Sequence, residues 1–599
     1  MLLFATTLYA QSKSLTRLTI VGNDHVKKSE IKKLLRQKPL PFHQKPAFWI
    51  KNPEFNHNLM LQDSDSILVY LQSNGFLYAE VEAIATESKR GNIGIEYRIT
   101  ENSPVLVSSV TVIVNDTIRV DRPRRAPRMR GYEQRRTIEA QDGKIFRDAD
   151  VYNDIGLIND YFVAQGYLKS HTDFQVLLNE DSSKNESTVE IEYHTETGKV
   201  YYIKDYEITG NRNVDTSTVR NQIVFRDSLA YKLEYVTKSR ENLMRLGVFR
   251  SIQIFPNFIE DTDFVKPTFR FIEKNKWVTT AGLGWGSEER FRAFAQIAHH
   301  GMYKKADQQE LSIRTSYIEP WNVQFRLIQP AFFHPQITLM INPFIRRENE
   351  TDYLLDRYGN ITTLSYNFLT YWNLFFDYLL EQNNLRELEY ATDSIEGIYN
   401  QSTYFTKLDF NYSFPRINPY RGFHSISGVG LTEIDFDNLF DYYFLSQEFR
   451  YYQPIYNQFI IALRAQAQVM DEIADFQSIP RESRLYLGGV GSVRGYDRRS
   501  ISPYIIDEDG NIVRIGGRSS LLFSSEARVP IIKNIDVAFL YDAGQVLEGS
   551  YDFDINAMSQ SVGLGIRYQS PIGRIRFDMA KAIDKSRPTR FYLTIGESF

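Results

Sequence analysis

"GGVGSVRGYDRRS", residues 488–500, is the stretch that decides how this 599-residue chain is read. Gly488, Gly489 and Gly491 stand just ahead of Val493-Arg494-Gly495-Tyr496. Closely spaced glycines let a backbone turn sharply and approach another surface. No Lys-Ser/Thr follows them and no helical pattern opens after them, which argues against a phosphate-binding loop. An ordinary surface loop and an inserted tip both fit the stretch in isolation, so the flanking sequence has to decide.

The flanks read as strands. In "VGLGIRYQ", 562–569, Val562, Leu564, Ile566 and Tyr568 point one way, and Gly563, Gly565, Arg567 and Gln569 the other. "FIIALRAQAQV", 459–469, repeats the pattern with Arg464 on its polar face, and "ELSIRTSY" and "VQFRLIQ" place Arg314 and Arg326 on theirs. From Trp277 onward nearly all of the chain alternates in this way between turn residues. The pattern fits a transmembrane β-barrel with a wet lumen; it fits equally a soluble sandwich or barrel with inside and outside exchanged. An aromatic content of 14% favours the membrane. So does the last strand, "FYLTIGESF", in which Phe591, Leu593 and Ile595 alternate before a terminal Phe599, like the C-terminal signal of many bacterial outer-membrane barrels.

Composition narrows the classes. A net charge of −4 offers no basic excess for nucleic acid, and the absence of cysteine excludes disulfides, thiolate catalysis and zinc-thiolate sites. No internal run approaches the roughly 18 apolar residues of a spanning helix. "MLLFATTLYAQ", 1–11, reads as the apolar core of a secretory signal peptide whose basic leading region is missing, as at a truncated start. His299 and His300 are strand neighbours facing opposite ways and cannot share a metal, and no catalytic constellation stands out. The expectation is a non-enzyme without metal or cofactor.

Before Trp277 the chain repeats itself. "YLQSNGFLYAEV" (70–81), "YFVAQGYLKSHT" (161–172) and "NLMRLGVFRSIQ" (242–253) each run a helical pattern into Gly75, Gly166 or Gly247 and then a strand. Each unit opens on a strand, "LTRLTIVGN" (15–23), "VLVSSVTVIVN" (105–115) or "YYIKDYEITGN" (201–211), and closes on an alternating one. In the third, Asp215 is the expected N-cap of a helix over 216–224. The order predicted for every unit is strand, helix, helix, strand, strand.

These units, followed by strands that contain "GGVGSVRGY", "SSEARVP" (524–530), "FLYDAGQV" (539–546) and "GLGIRYQSPIGRIRFDMA" (563–580), resemble the BamA/TamA family over essentially the whole chain after the signal. The resemblance implies three POTRA-like domains, at 15–103, 104–199 and 200–275, and an all-β outer-membrane barrel of 16 antiparallel strands at 277–599. It implies that Arg494, on a loop folded back into the lumen, meets Glu526 and Asp542. It implies a Gram-negative outer membrane with the N-terminal domains in the periplasm. The implied partners are unfolded outer-membrane or secreted clients, the bilayer with its lipopolysaccharide, and a periplasmic or inner-membrane accessory protein. Three units rather than more, with no plug helix, resemble the TamA-like branch over BamA itself or the two-partner secretion pores. A dedicated secretion transporter and a lipid-transport or structural role are the alternatives. The glycine-rich first strand, "TTAGLGWGS" (279–287), and Gly596 in the last suit either a strained seam or a plain glycine-rich strand. "RPRRAPRMRGYEQRR", 122–136, is a basic insertion that reads as a solvated loop ahead of a site for acidic partners.

Overall fold

Three small sheets precede one large closed one. The structure is a computed structural model that describes residues 13–39, 53–89, 91–119, 138–181, 186–351, 353–386, 397–416, 419–436, 440–455, 459–473, 479–506, 510, 512–532, 534–570, 573–583 and 588–595. The expected signal peptide at 1–11, the basic stretch 122–136 and Phe599 lie outside these residues. The chain divides into two compact units, one holding the first two α/β modules and part of the third, the other the barrel and the remainder of the third.

The first module runs β1 (Leu15–Val21), α1 (Lys28–Leu34), α2 (His57–Ser73), β2 (Glu80–Glu87) and β3 (Ile93–Thr100), with sheet order β1-β3-β2. Alternation along β3 buries Ile93, Ile95, Tyr97 and Ile99 against Ile67 and Leu71 of α2. The Asn56 side chain starts α2 by accepting from the backbone N–H groups of Asn58 and Leu59. A buried carboxylate completes the core: Asp63 accepts from the N–H groups of Arg36 (2.8 Å) and Gln37 (3.1 Å) and from the Tyr97 hydroxyl (3.4 Å).

The second module adds a strand to the predicted order. β4 (Leu106–Val114) turns back at once into β5 (Thr117–Arg119), and α3 (Asp148–Ala164), β6 (His171–Asp181) and β7 (Glu186–Glu196) follow; residues 120–137, where the first of the two expected helices falls, lie outside the described residues. The cause is local: Asn115 and Asp116 both have positive φ, the geometry of a two-residue hairpin turn. The equivalent turns of modules one and three instead carry Gly22 and Gly210, each followed by Asn and then Val three positions later. A Cβ at Gly22 would stand 1.9 Å from the Ile99 carbonyl oxygen, and one at Gly210 2.2 Å from that of Phe271, so only glycine fits. The buried carboxylate recurs in module two, where Asp154 accepts from the N–H groups of Glu139 (2.6 Å) and Ala140 (3.0 Å) and from the Tyr193 hydroxyl (3.0 Å).

The third module is built from β8 (Tyr202–Ile203), β9 (Glu207–Thr209), α4 (Thr216–Arg220), α5 (Leu233–Arg245), β10 (Phe249–Phe258) and β11 (Phe264–Glu273). Here the expected helix over 216–224 ends at Arg220, and Asp215 occupies the N-cap without a side-chain capping bond. Beyond Arg220 the chain turns inward to bury Gln222 and Phe225, and the Val224 N–H donates to the Ser239 hydroxyl at 2.9 Å.

The barrel strands are β12 (Trp277–Gly286), β13 (Arg290–His300), β14 (Gln308–Thr315), β15 (Trp321–Gln329), β16 (Ile337–Asn349), β17 (Leu354–Leu369), β18 (Trp372–Arg386), β19 (Gly397–Phe414), β20 (Arg421–Ile434), β21 (Tyr442–Pro454) and β22 (Ile460–Glu472). A long loop carrying the hairpin β23 (Tyr504–Ile506) and β24 (Ile512–Arg514) leads to β25 (Ser519–Ile532), β26 (Ile535–Leu547), β27 (Ser559–Ser570), β28 (Gly573–Ala582) and β29 (Arg590–Ile595). Sixteen of these strands, all but β23 and β24, close on themselves with β12 against β29. Closure resolves the inside-outside question that periodicity left open. Val562, Leu564, Ile566 and Tyr568 are exposed while Arg567 is buried on the opposite face, and Leu311 and Ile313 are exposed around a buried Ser312. Apolar side chains outside and charged ones inside are the pattern of a barrel solvated by lipid.

Candidate functional site

The loop between β22 and β25 narrows as it enters the barrel. Leu485 bridges Gly517 and Leu487 bridges Ile501, each through a pair of backbone hydrogen bonds of 2.9–3.0 Å. Above this stem Gly488, Gly489 and Gly495 all have positive φ, and a Cβ on Gly488 would lie 2.3 Å from the Asp497 carbonyl oxygen. The Gly488 N–H donates to the Ser492 hydroxyl at 2.8 Å, which tightens the turn that presents residues 493–496. Val493 and Tyr496 are fully buried among Leu485, Leu487 and wall residues that include Leu522, Val546 and Ala582. Burying these two side chains contributes about 1.5–3 kcal/mol each.

Arg494 sits beside this apolar cluster. Its Nε and one terminal nitrogen grip Asp542 at 2.7 and 2.8 Å, its other terminal nitrogen donates to Glu526 at 2.7 Å, and its backbone N–H also donates to Asp542 at 3.2 Å. Strand parity delivers the acceptors: Asp542 lies opposite Ser524 on β25, so Glu526, two residues on, shares its lumenal face. The three residues singled out from the sequence are therefore adjacent and hydrogen-bonded.

Further residues join them. The Asp578 carboxylate accepts from Arg567 in a short contact and lies 3.6 Å from Arg494. Arg567 stands 3.6 Å from Glu526, and Arg528 donates to Glu526 at 2.9 Å. Arg576 lies 3.8 Å from Asp578, so the cluster holds Arg494, Arg528, Arg567 and Arg576 against Glu526, Asp542 and Asp578. Pairing matters because a charge left without a partner at this depth costs several kcal/mol. The signal for Arg567 was its polar-face position in "VGLGIRYQ"; Asp578 lay in the quoted "GRIRFDMA" without distinction from other strand carboxylates.

Tyr592 is a further residue that the sequence did not single out. It faces inward between Phe591, which is exposed, and Leu593; its hydroxyl accepts from the Gly495 N–H at 2.9 Å and donates to the Tyr496 carbonyl at 3.0 Å. Ile595 is the last residue of β29. At the loop tip the Val490 N–H donates to Glu288, in the turn between β12 and β13, at 2.9 Å. Burial holds the Glu288 carboxyl above the usual carboxylate range, against the smaller downward pull of the Val490 N–H and Arg498. Among the described residues no group of His, Asp and Glu is arranged to hold a metal ion.

An α/β module train ahead of a sixteen-stranded barrel, with an arginine-anchored loop inside, defines an outer-membrane protein with POTRA domains. Residues 303–599 match the model of the Omp85 superfamily domain, and residues 14–102 match that of the surface antigen variable number repeat, the POTRA module. The chain belongs to the BamA/TamA family of the Omp85 superfamily. It is 21% identical to the outer membrane protein assembly factor BamA of Neisseria meningitidis across 95% of this chain and 76% of that protein. To the BamA of Neorickettsia risticii it is 22% identical across 67% of this chain and 56% of the relative. The crystal structure of Haemophilus ducreyi BamA lacking POTRA domains 1–3 superposes with a TM-score of 0.62 at 21% identity, covering 77% of this chain and 96% of that one. That likeness establishes the barrel fold.

Proposed function

We propose that this protein assembles other outer-membrane proteins: its α/β modules, in the periplasm, collect unfolded client strands, and its barrel opens between β12 and β29 to pass them into the bilayer. The observation that carries the reading is the closure of the barrel, which sets its first strand, β12, against its last, β29, at Trp285 with Ile595 and Gly286 with Thr594. Within the modules, β2 and β6 end their sheets, and β6 adds exposed Leu177 and Leu178 along eleven residues. Strand addition at such edges binds by main-chain hydrogen bonds and tolerates varied side chains, which suits a collector of many clients.

On this reading Arg494 with Glu526 and Asp542 anchors the loop within the lumen, Phe591, Leu593, Ile595 and Phe599 form the barrel's own assembly signal, and the domains follow the boundaries expected above. Three modules fit the TamA-like branch, with a periplasmic or inner-membrane accessory protein and the lipopolysaccharide-bearing bilayer as surroundings. The test is depletion of the protein in its host followed by quantitative proteomics of the outer membrane and medium. Loss of many unrelated β-barrels is the expected result. Loss of a single secreted protein with the barrels intact would replace this reading with a dedicated transporter.

A further inference from the structure

Beside the tip of the inward loop lies a lumenal cavity of about 580 Å³, lined by seven arginines and three glutamates. In the wall around it Arg450 on β21 stands directly opposite Arg464 on β22, and Arg567 on β27 directly opposite Arg576 on β28. Like charges facing each other across neighbouring strands destabilise a sheet, so two such pairs call for compensating anions. Among the described residues the protein supplies too few. Glu448 is shared by Arg450, in a short contact, and by Arg464 at 3.3 Å. Asp578 accepts from Arg567 and stays 3.8 Å from Arg576, beyond hydrogen-bond reach. Glu526 already serves Arg494 and Arg528. Arg450, Arg464, Arg528 and Arg576 still leave 26–38% of their side chains open to the cavity, and the buried Nε of Arg464 has no hydrogen-bond partner. Glu448 and Asp578 are not part of the lining; of the glutamates that are, Glu289 is held by Arg292 at 2.8 Å and Glu288 by the Val490 N–H. The face turned to the cavity is therefore cationic, and Ser524 and Thr594 add hydroxyl donors to it. Arg464 also donates to the Gly491 carbonyl at 3.1 Å, so the loop tip forms one wall.

We propose that this cavity binds a phosphate group. Guanidinium forks match phosphate oxygens bidentately, and one multiply charged anion among these arginines relieves both like-charge pairs at once. A phosphate monoester brings about −1.5 to −2 charge and three acceptor oxygens, where a carboxylate brings a single charge and two oxygens. Strand pairing closes the wall from β21 through β28, so the group enters along the aqueous lumen. A soluble phosphoester and a lipid headgroup carry this same chemistry, and the test separates them.

Isothermal titration of the full chain, in nanodiscs of phosphatidylcholine, with glycerol 3-phosphate reads the site directly. Arg450→Gln and Arg576→Gln should each weaken binding about tenfold to a hundredfold, through lost charge-assisted hydrogen bonds. Both leave the shared carboxylate its other arginine, Glu448 with Arg464 and Asp578 with Arg567, so the barrel should fold, and heat-modifiable mobility checks that it does. Arg386→Gln lies outside the cavity at Asp356, which keeps Arg347, and should match the wild type. No binding by the unaltered protein in either kind of nanodisc, or a loss as large in Arg386→Gln as in Arg450→Gln, overturns the site. A tetraglutamate peptide that binds more tightly than glycerol 3-phosphate overturns it in favour of acidic client segments. In nanodiscs doped with phosphatidic acid, an unchanged titration assigns the site to a soluble ester. A titration abolished there, and restored when phosphatidic acid is left out, assigns it to a lipid headgroup.

Discussion

Replacing Arg494 by lysine keeps the charge and removes the fork. The guanidinium makes three side-chain hydrogen bonds to two carboxylates, and they diverge from three different nitrogens. An ammonium offers one nitrogen and can keep at most one of these positions well. Losing two charge-assisted hydrogen bonds at about 1.5–3 kcal/mol each gives a cost of roughly 3–6 kcal/mol, in line with the roughly 3–5 kcal/mol of a broken buried pair. At about 1.4 kcal/mol per decade, the fraction of molecules with the loop displaced should rise by a hundredfold or more. Val493 is the reporter: it is fully buried beside Arg494, and a Val493→Cys thiol is the sole one in the chain. Maleimide reaches it only when the loop leaves, so its labelling rate follows the open fraction. The R494K/V493C protein should label at least a hundredfold faster than V493C. Equal rates in the two proteins would refute the claim that the guanidinium contacts hold the loop.

Other outcomes follow from the same geometry. Asp578→Asn leaves Arg567 with a weakened partner but touches Arg494 only at 3.6 Å, so it should speed V493C labelling less than Asp542→Asn does. Gly495→Ala places a methyl 3.1 Å from the Lys581 and Ala582 backbone at φ 90°, and should displace the loop without altering any charge, read by the same thiol. Gly22→Ala and Gly210→Ala, each driven into a carbonyl oxygen, should raise amide hydrogen exchange in the first and third modules respectively while the barrel strands stay protected. Asp154→Ala strands two backbone donors and the Tyr193 hydroxyl, at about 1–3 kcal/mol for each group left unsatisfied. Its exchange signature should be confined to the second module.

How far the sequence reached depended on the range of the interaction involved. Alternation placed Arg567 on a polar face before any strand partner was known, and the turn glycines marked the ends of α2, α3 and α5. The added strand β5 of the second module was not legible because Asn115 and Asp116 form a hairpin turn where the other modules use glycine, a substitution the strand pattern does not register. The helix after Asp215 is shorter than its sequence pattern predicts because the pull that ends it is the burial of Gln222 and Phe225, a tertiary effect.

By itself the sequence determined the strands, the repeat, the polar faces and a loop able to turn tightly, because each follows from backbone periodicity and from local steric freedom. Tertiary structure alone decided which face of the barrel meets lipid, since closure assigns inside and outside to a pattern symmetric between them. It alone also brought Asp578, Arg567 and Tyr592 to Arg494, residues 73 to 98 positions away along the chain. Period two says which way a side chain points, but only strand order and register say what it meets there.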